Sequence, residues 1–138
     1  MMGVCQFRAV AWAFGPCIAA FQYMRLVISI DACFLSGRYE GRLLIACGYN
    51  AENQLLPLAF VIVRKEDTEN WGFFLQWSRD EVLGHNKFVC VISDHHKGIK
   101  AVLTTEYGWS LEFFMHRFCM QHVADNLVQN CENDKWYG

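Results

Sequence analysis

The chain has 138 residues, of which 54% are hydrophobic and 15% aromatic, and its 12 lysines and arginines against 14 aspartates and glutamates give a net charge of −2. This composition excludes a disordered chain and predicts one packed domain. The near-neutral charge is not typical of nucleic-acid-binding domains, so any contact with DNA has to come from a local basic patch. Seven single cysteines without a CxxC pair indicate reduced thiols and an intracellular protein.

The N-terminal part of the chain, residues 1–24, is interpreted as a lead-in segment to a main domain at residues 25–138. Its apolar opening has no basic region and is broken at Gly15-Pro16, so we expect neither a signal peptide nor a membrane span. A short strand is predicted from Ala9 to Ala13, a turn at Gly15-Pro16, and a short helix from Cys17 to Tyr23.

Two apolar runs that each end in an aspartate organise the main domain. They are LVISID at residues 26–31 and FVCVISD at residues 88–94. Such β-branched runs are typical of strands buried on both faces, and the carboxyl ends of strands in open α/β sheets form the ligand crevice. If Asp31 and Asp94 meet there, two like charges at 4 Å repel by about 4 kcal/mol at a dielectric near 20, unless a cation lies between them. We therefore expect a divalent metal site; the alternative is that each aspartate only caps a strand or helix.

A β-hairpin is predicted between the two aspartate strands. Residues 42–49 and 55–63 are its strands, and residues 50–53 are its turn. Pro57 cannot donate a hydrogen bond to a sheet, which predicts that its strand lies at the sheet edge.

Helices are predicted to connect the remaining strands. Thr68 is the expected N-cap of a helix that ends at Gly84 and leads to the second aspartate strand, which favours parallel pairing of the two aspartate strands. A second helix is predicted from His96 to Gly108, a fifth strand at residues 111–114, and a third helix from about Phe118. The result is an α/β domain with a five-stranded mixed sheet in the order 3-2-1-4-5, counting from the first aspartate strand.

Several stretches of the chain resemble the catalytic core of Mutator-like element (MULE) transposases. The longest runs from VISIDACFLSGRYEGRLLIACGYN to TENWGFFL, followed by VISDHHKGIKAV and HRFCMQHVADN. Their joint occurrence in this order, from about Ala11 to Asn130, is highly specific. The resemblance implies a ribonuclease H-like fold, whose layout agrees with the predicted element order, and a DDE-type DNA transposase.

The resemblance also implies which residues perform the chemistry. Asp31 and Asp94 correspond to the first two acidic residues of the family, which hold Mg²⁺ (or Mn²⁺) for phosphodiester hydrolysis and strand transfer. Lys97 at a predicted helix start is a candidate phosphate contact, with a solvated surface lysine as the alternative. Cys119 and His122 match the family's CxxH motif, which we interpret as a structural or DNA-contacting motif in preference to half of a zinc site.

Departures from the family pattern limit the expected activity. The third acidic residue, a glutamate, lies beyond the matching stretch, and Glu106, Glu112 and Glu132 do not occupy its position. We therefore expect a truncated core that is inactive alone. His95 stands where the family usually has arginine, so a permanent charge is replaced by one that titrates near neutrality. Ala32 stands where the family usually has glycine.

Two other functions stay open. One is a domesticated, non-catalytic module that interacts with DNA or protein, and the other is a metal-dependent nuclease with a substitute ligand, so enzyme activity is left undecided. The resemblance implies DNA, specifically transposon ends, as the partner in the parent family, and the nucleus as the location. It also allows a homo-oligomer and implies no membrane association.

Overall fold

A computed structural model describes residues 3, 7–38, 40–85, 87–94, 96–105, 114–122, 124–125 and 128. Within these residues six strands form one mixed sheet, and three α-helices accompany it. The strands are β1 (Ala9–Trp12), β2 (Val27–Leu35), β3 (Gly41–Tyr49), β4 (Leu55–Val63), β5 (Val89–Ser93) and β6 (Phe114–Phe118). The helices are α1 (Gly15–Phe21), α2 (Thr68–Ser78) and α3 (Lys97–Thr105), and α2 continues into a π-helical turn, Arg79–Leu83.

The strand order of the sheet is β1-β4-β3-β2-β5-β6. The five strands predicted for the main domain occur in the predicted order, β4-β3-β2-β5-β6. Within it, β3 pairs antiparallel with both β2 and β4, and β5 pairs parallel with both β2 and β6. The predicted strand count was wrong, since β1 adds a sixth strand from the lead-in segment. The short strand predicted there does form, and it pairs antiparallel with β4.

The prediction that the strand with Pro57 lies at the sheet edge was wrong. The strand that carries it, β4, pairs with β3 on one side and with β1 on the other, so it is not an edge strand. The pairing with β1 begins only at Phe60, three residues after Pro57. Opposite Pro57 the β3–β4 register shifts between Ala46 and Cys47. Proline is thus accommodated where no second strand needs its missing donor, next to an irregularity in the ladder.

One face of the sheet forms the hydrophobic core. Ile28 and Ile30 of β2 lie beside Val89 and Val91 of β5, and all four are buried. The helices contribute further large side chains, among them Trp71, which is 0% exposed. Burying one side chain of this size stabilises the fold by roughly 1.5–3 kcal/mol. The alternate positions of β2 and β5 are half-buried or exposed, and this second face carries Asp31.

The starts of the first two helices differ from the predictions. α2 is capped by Asp67 rather than Thr68, since the Asp67 carboxylate accepts a 2.8 Å hydrogen bond from the Asn70 backbone amide. α1 begins at Gly15 with Pro16 in its first turn, where the turn was predicted. Proline suits this position because the first-turn amides have no partner within the helix.

The last part of the chain is described only in pieces. The fifth predicted strand, at residues 111–114, falls mainly outside the described residues, and the strand that forms is β6, which begins at Phe114. Residues 120–122, 124–125 and 128 are helical, as predicted for the third helix, but its predicted start, Phe118, is the last residue of β6. The predicted end of the second helix lies outside the described residues. Within the described part of the chain, none of the helices has the length and hydrophobicity of a membrane span.

Candidate metal centre

Asp31 and Asp94 occupy matching positions on neighbouring parallel strands. β2 and β5 pair as Val27 with Cys90 and Ser29 with Ile92, a constant offset of 63 residues. Asp31 and Asp94 have the same offset (94 − 31 = 63) and stand two residues beyond the last pair. Both therefore lie at the same end of the sheet and on the same face, and adjacent strands are roughly 4.8 Å apart.

The position of Asp31 within its strand differs from the prediction. β2 does not end at Asp31 but continues to Leu35, because its pairing with β3 extends from Ile28 to Leu35. The pairing with β5, by contrast, stops at Ser29. The carboxylate is exposed, and its Oδ1 atom accepts a 2.8 Å hydrogen bond from the Ala32 amide. Asp31 thus stays paired with β3 but lies beyond the last residue that pairs with β5.

A set of hydrogen bonds holds Asp94 at the end of β5. The backbone amide of His96 donates to Asp94 Oδ1 at 3.1 Å, and His96 Nδ1 accepts from the Gly98 amide at 3.0 Å. The other ring nitrogen of His96 lies 3.5 Å from Glu66 Oε1, which also accepts from Trp71 Nε1 at 3.2 Å. These contacts tie the start of α3 to the start of α2, and so they fix the direction in which Asp94 leaves the sheet.

Cys119 and His122 follow β6 and lie at the same end of the sheet. The backbone amide of Cys119 donates to the Ser93 carbonyl at 2.6 Å, next to Asp94. A hydrogen bond from the His122 backbone amide lowers the pKa of the Cys119 thiol, assisted by the Gln121 amide and the His122 ring and opposed by partial burial. A lower pKa increases the fraction of Cys119 that is thiolate at a given pH.

The imidazole of His122 connects this motif to the two aspartates. A side-chain hydrogen bond with Cys119 is the main reason why the pKa of His122 is raised, and the carboxylates of Asp31 and Asp94 add to this rise while burial opposes it. Both aspartates are thus close enough to act on one imidazole. The Nδ1 atom of His122 is shielded from solvent and has no hydrogen-bond partner among the described residues.

The donor atoms at this end of the sheet suit a hard divalent cation. Asp31 and Asp94 each use Oδ1 for one backbone amide, and carboxylate oxygens are the ligands that Mg²⁺ takes in small number, together with water and substrate oxygens. Within the described residues no group of three or more His, Cys, Asp or Glu side chains is gathered closely enough to hold a metal by itself. A cation here would depend on two carboxylates and on ligands from substrate or solvent.

The remaining predicted residues have different positions. Lys97 is the first residue of α3 and is exposed, so it projects from the helix start that follows Asp94. His95 lies outside the described residues, as do Glu106, Glu112 and Glu132. Cys47, which the sequence did not single out, lies near Asp31: burial raises the pKa of its thiol, and Asp31 and Cys33 raise it further.

Sequence reasoning missed the residues that support Asp94. Glu66 and Trp71 both belong to the set of contacts around His96, and neither was predicted as a site residue. His96 faces α2, whereas His95 lies outside the described residues. The spacing of Glu66 and Trp71 does not match the repeat of a helix. Their role in holding His96 becomes visible only from the packing of α2 against α3.

Comparison with known proteins identifies the family. The family model of the MULE transposase domain matches residues 27–126, which is well over half of the chain and includes Asp31, Asp94, Cys119 and His122. A search of curated proteins finds no match. Transposase domains act on DNA, so the match suggests interaction with DNA. The chain belongs to the MULE transposase family.

Proposed function

We propose that this chain is the ribonuclease H-like core of a DDE-type DNA transposase, in which Asp31 and Asp94 bind Mg²⁺ or Mn²⁺. The observation that carries the proposal is the shared offset of the two aspartates in the β2–β5 register, at the same end of the sheet. The order of strands and the family match over residues 27–126 support the same proposal.

The chain's own residues have separate roles in this proposal. Asp31 and Asp94 hold the cation, which supplies activation of the attacking hydroxyl and charge stabilisation at a DNA phosphodiester. His96, anchored on Glu66, keeps the Asp94 carboxylate oriented. Lys97 offers a positive charge at the start of α3, where the helix N-terminus also favours a phosphate group. Transposon ends are the proposed substrate.

A metal titration tests this proposal directly. Isothermal calorimetry with Mn²⁺ should detect binding to the unmodified chain and a loss of at least about tenfold in affinity in Asp31→Asn and in Asp94→Asn. Glu52→Gln is the matched control, because it removes one negative charge from the hairpin turn at the other end of the sheet. Equal binding in all four proteins would refute the metal site.

An activity assay separates catalysis from binding. Because the described residues bring only two carboxylates to this site, we expect the 138-residue chain to nick plasmid DNA slowly or not at all with Mg²⁺ or Mn²⁺. Rapid nicking that is lost in Asp31→Asn would contradict this expectation and favour a nuclease with a substitute ligand.

A non-catalytic DNA-interaction module is the second candidate function. It is favoured by the same observation, that no group of three metal-binding side chains is gathered within the described residues. DNA binding that is unchanged by EDTA and by Asp94→Asn, without any nicking, would support this function in place of the first.

A further inference from the structure

An open groove of about 790 Å³ lies beside β1, on the outer side of the sheet. It is bounded by the residues that lead into β1, by the end of β4 and by the first turns of α2. Its cations are Arg8, Arg64 and Lys65, and its aromatic side chains are Phe7 and Phe73. None of these residues belongs to the candidate metal centre.

The cations of the groove are accessible to an anionic ligand. Arg64 is exposed and forms no ion pair within the described part of the chain. Arg8 lies 3.9 Å from Glu69, and both side chains are more than three-quarters exposed. Lys65 lies 3.5 Å from Asp67, whose other carboxylate oxygen caps α2. The Arg8–Glu69 pair is exposed on both sides and is therefore weak, so a phosphate competes readily for Arg8.

Two aromatic rings accompany these cations. Phe7 is 49% exposed and Phe73 is 44% exposed, and both line the groove. Positive charge along a groove, combined with exposed aromatic rings, is the combination with which proteins bind single-stranded nucleic acid, because phosphates meet the cations and bases stack on the rings.

The groove lies at the same end of the sheet as the two aspartates. One row of paired residues runs from Ala9 to Val63, then to Arg42 and to Phe34, which is three residues beyond Asp31 on β2. Three strand spacings of about 4.8 Å separate the groove from β2, or about 14 Å in total.

We infer that the groove binds single-stranded DNA, with phosphates at Arg64 and Lys65 and bases against Phe7 and Phe73. The strand bound there is a flank of the strand whose phosphodiester lies at Asp31 and Asp94, so the inference rests on the proposed function. Arg42, whose guanidinium lies 3.9 Å from the centroid of the Phe34 ring, is on the row of paired residues that joins the groove to β2.

Fluorescence anisotropy with a labelled oligothymidine strand in EDTA tests this inference. The double variant Arg64→Ala/Lys65→Ala should bind at least about tenfold more weakly. The slope of log affinity against log salt should fall by about 1.4, that is, about 0.7 for each of two lost phosphate contacts. The matched control is Arg25→Ala/Lys87→Ala, which removes two positive charges at the opposite end of the sheet and should leave both quantities nearly unchanged.

Stacking is tested by Phe7→Ala and Phe73→Ala. Each should weaken binding at least about fivefold without a change in the salt slope, because a lost base contact removes no charge. Equal weakening in the groove and control double variants would overturn the inference, as would no effect of the phenylalanine variants or tighter binding to duplex than to single-stranded DNA.

The inference and the proposed function fail in different ways. Mn²⁺ calorimetry of Arg64→Ala/Lys65→Ala should match that of the unmodified chain, because both residues lie outside the metal centre. Absence of any oligonucleotide binding, with metal binding intact, overturns the groove alone. Loss of the expected metal binding, with groove-dependent oligonucleotide binding intact, overturns the proposed function but not the groove.

Discussion

Gly98 controls how closely the start of α3 packs against α2. A methyl group at this position would lie 3.1 Å from Trp71 Cδ1, 3.1 Å from His96 Nδ1 and 3.2 Å from the backbone carbon of Asp67. The Trp71 ring is 0% exposed and Asp67 contributes main chain, so neither neighbour can move away cheaply. We therefore expect Gly98→Ala to destabilise the protein, although alanine is the better helix former.

The magnitude follows from two opposing effects. Replacing glycine by alanine inside a helix contributes up to about 1 kcal/mol, and less in the first turn, where Gly98 is the second residue of α3. Overpacking of a close-packed interior costs about 1–3 kcal/mol. The cost is larger, and we expect a net loss of about 1 kcal/mol in the free energy of unfolding.

Gly72→Ala in α2 is the matched control. A methyl group there would lie 3.7 Å from Val102 Cγ2, which is ordinary van der Waals contact. The helix preference of alanine should then stabilise this variant by up to about 1 kcal/mol. With a urea m-value of about 1–3 kcal/mol per molar, the roughly 2 kcal/mol between the variants separates their midpoints by about 1 M, which circular dichroism resolves. A Gly98→Ala midpoint at or above that of the unmodified chain would refute the packing argument.

Two further predictions concern Cys119 and Asp67. Hydrogen bonding lowers the pKa of the Cys119 thiol, so its thiolate fraction at neutral pH is larger than that of an ordinary cysteine. Iodoacetamide should therefore modify Cys119 faster than the exposed Cys33, and the reaction should persist to lower pH. The variant His122→Asn should slow this reaction, and equal rates at both cysteines in mass spectra would contradict the expected thiolate. Asp67→Ala should lower the free energy of unfolding by about 1 kcal/mol, while Asp67→Asn, which keeps the capping oxygen, should retain most of it.

Local patterns were sufficient for much of the fold. The apolar runs at residues 42–49 and 55–63 and the turn at residues 50–53 predicted the β3–β4 hairpin, and the apolar runs before Asp31 and Asp94 predicted two parallel neighbours. Such features depend on residues close together in the chain, so they can be recognised without knowing what packs against them. The same patterns failed at Pro57, because the partner of β4 on its other side comes from β1, about 50 residues earlier in the chain.

The sequence by itself determined the strand order of the main domain and the family, and from it the two aspartates are predicted as site residues. Only the tertiary structure decided that Asp31 lies inside β2, that His96 and Glu66 support Asp94, and that His122 lies close enough to both aspartates for them to raise its pKa. The physical reason is distance along the chain. Hydrogen bonds and charges act over a few ångströms in space, whereas these partners are separated by tens of residues and meet only when the sheet is assembled.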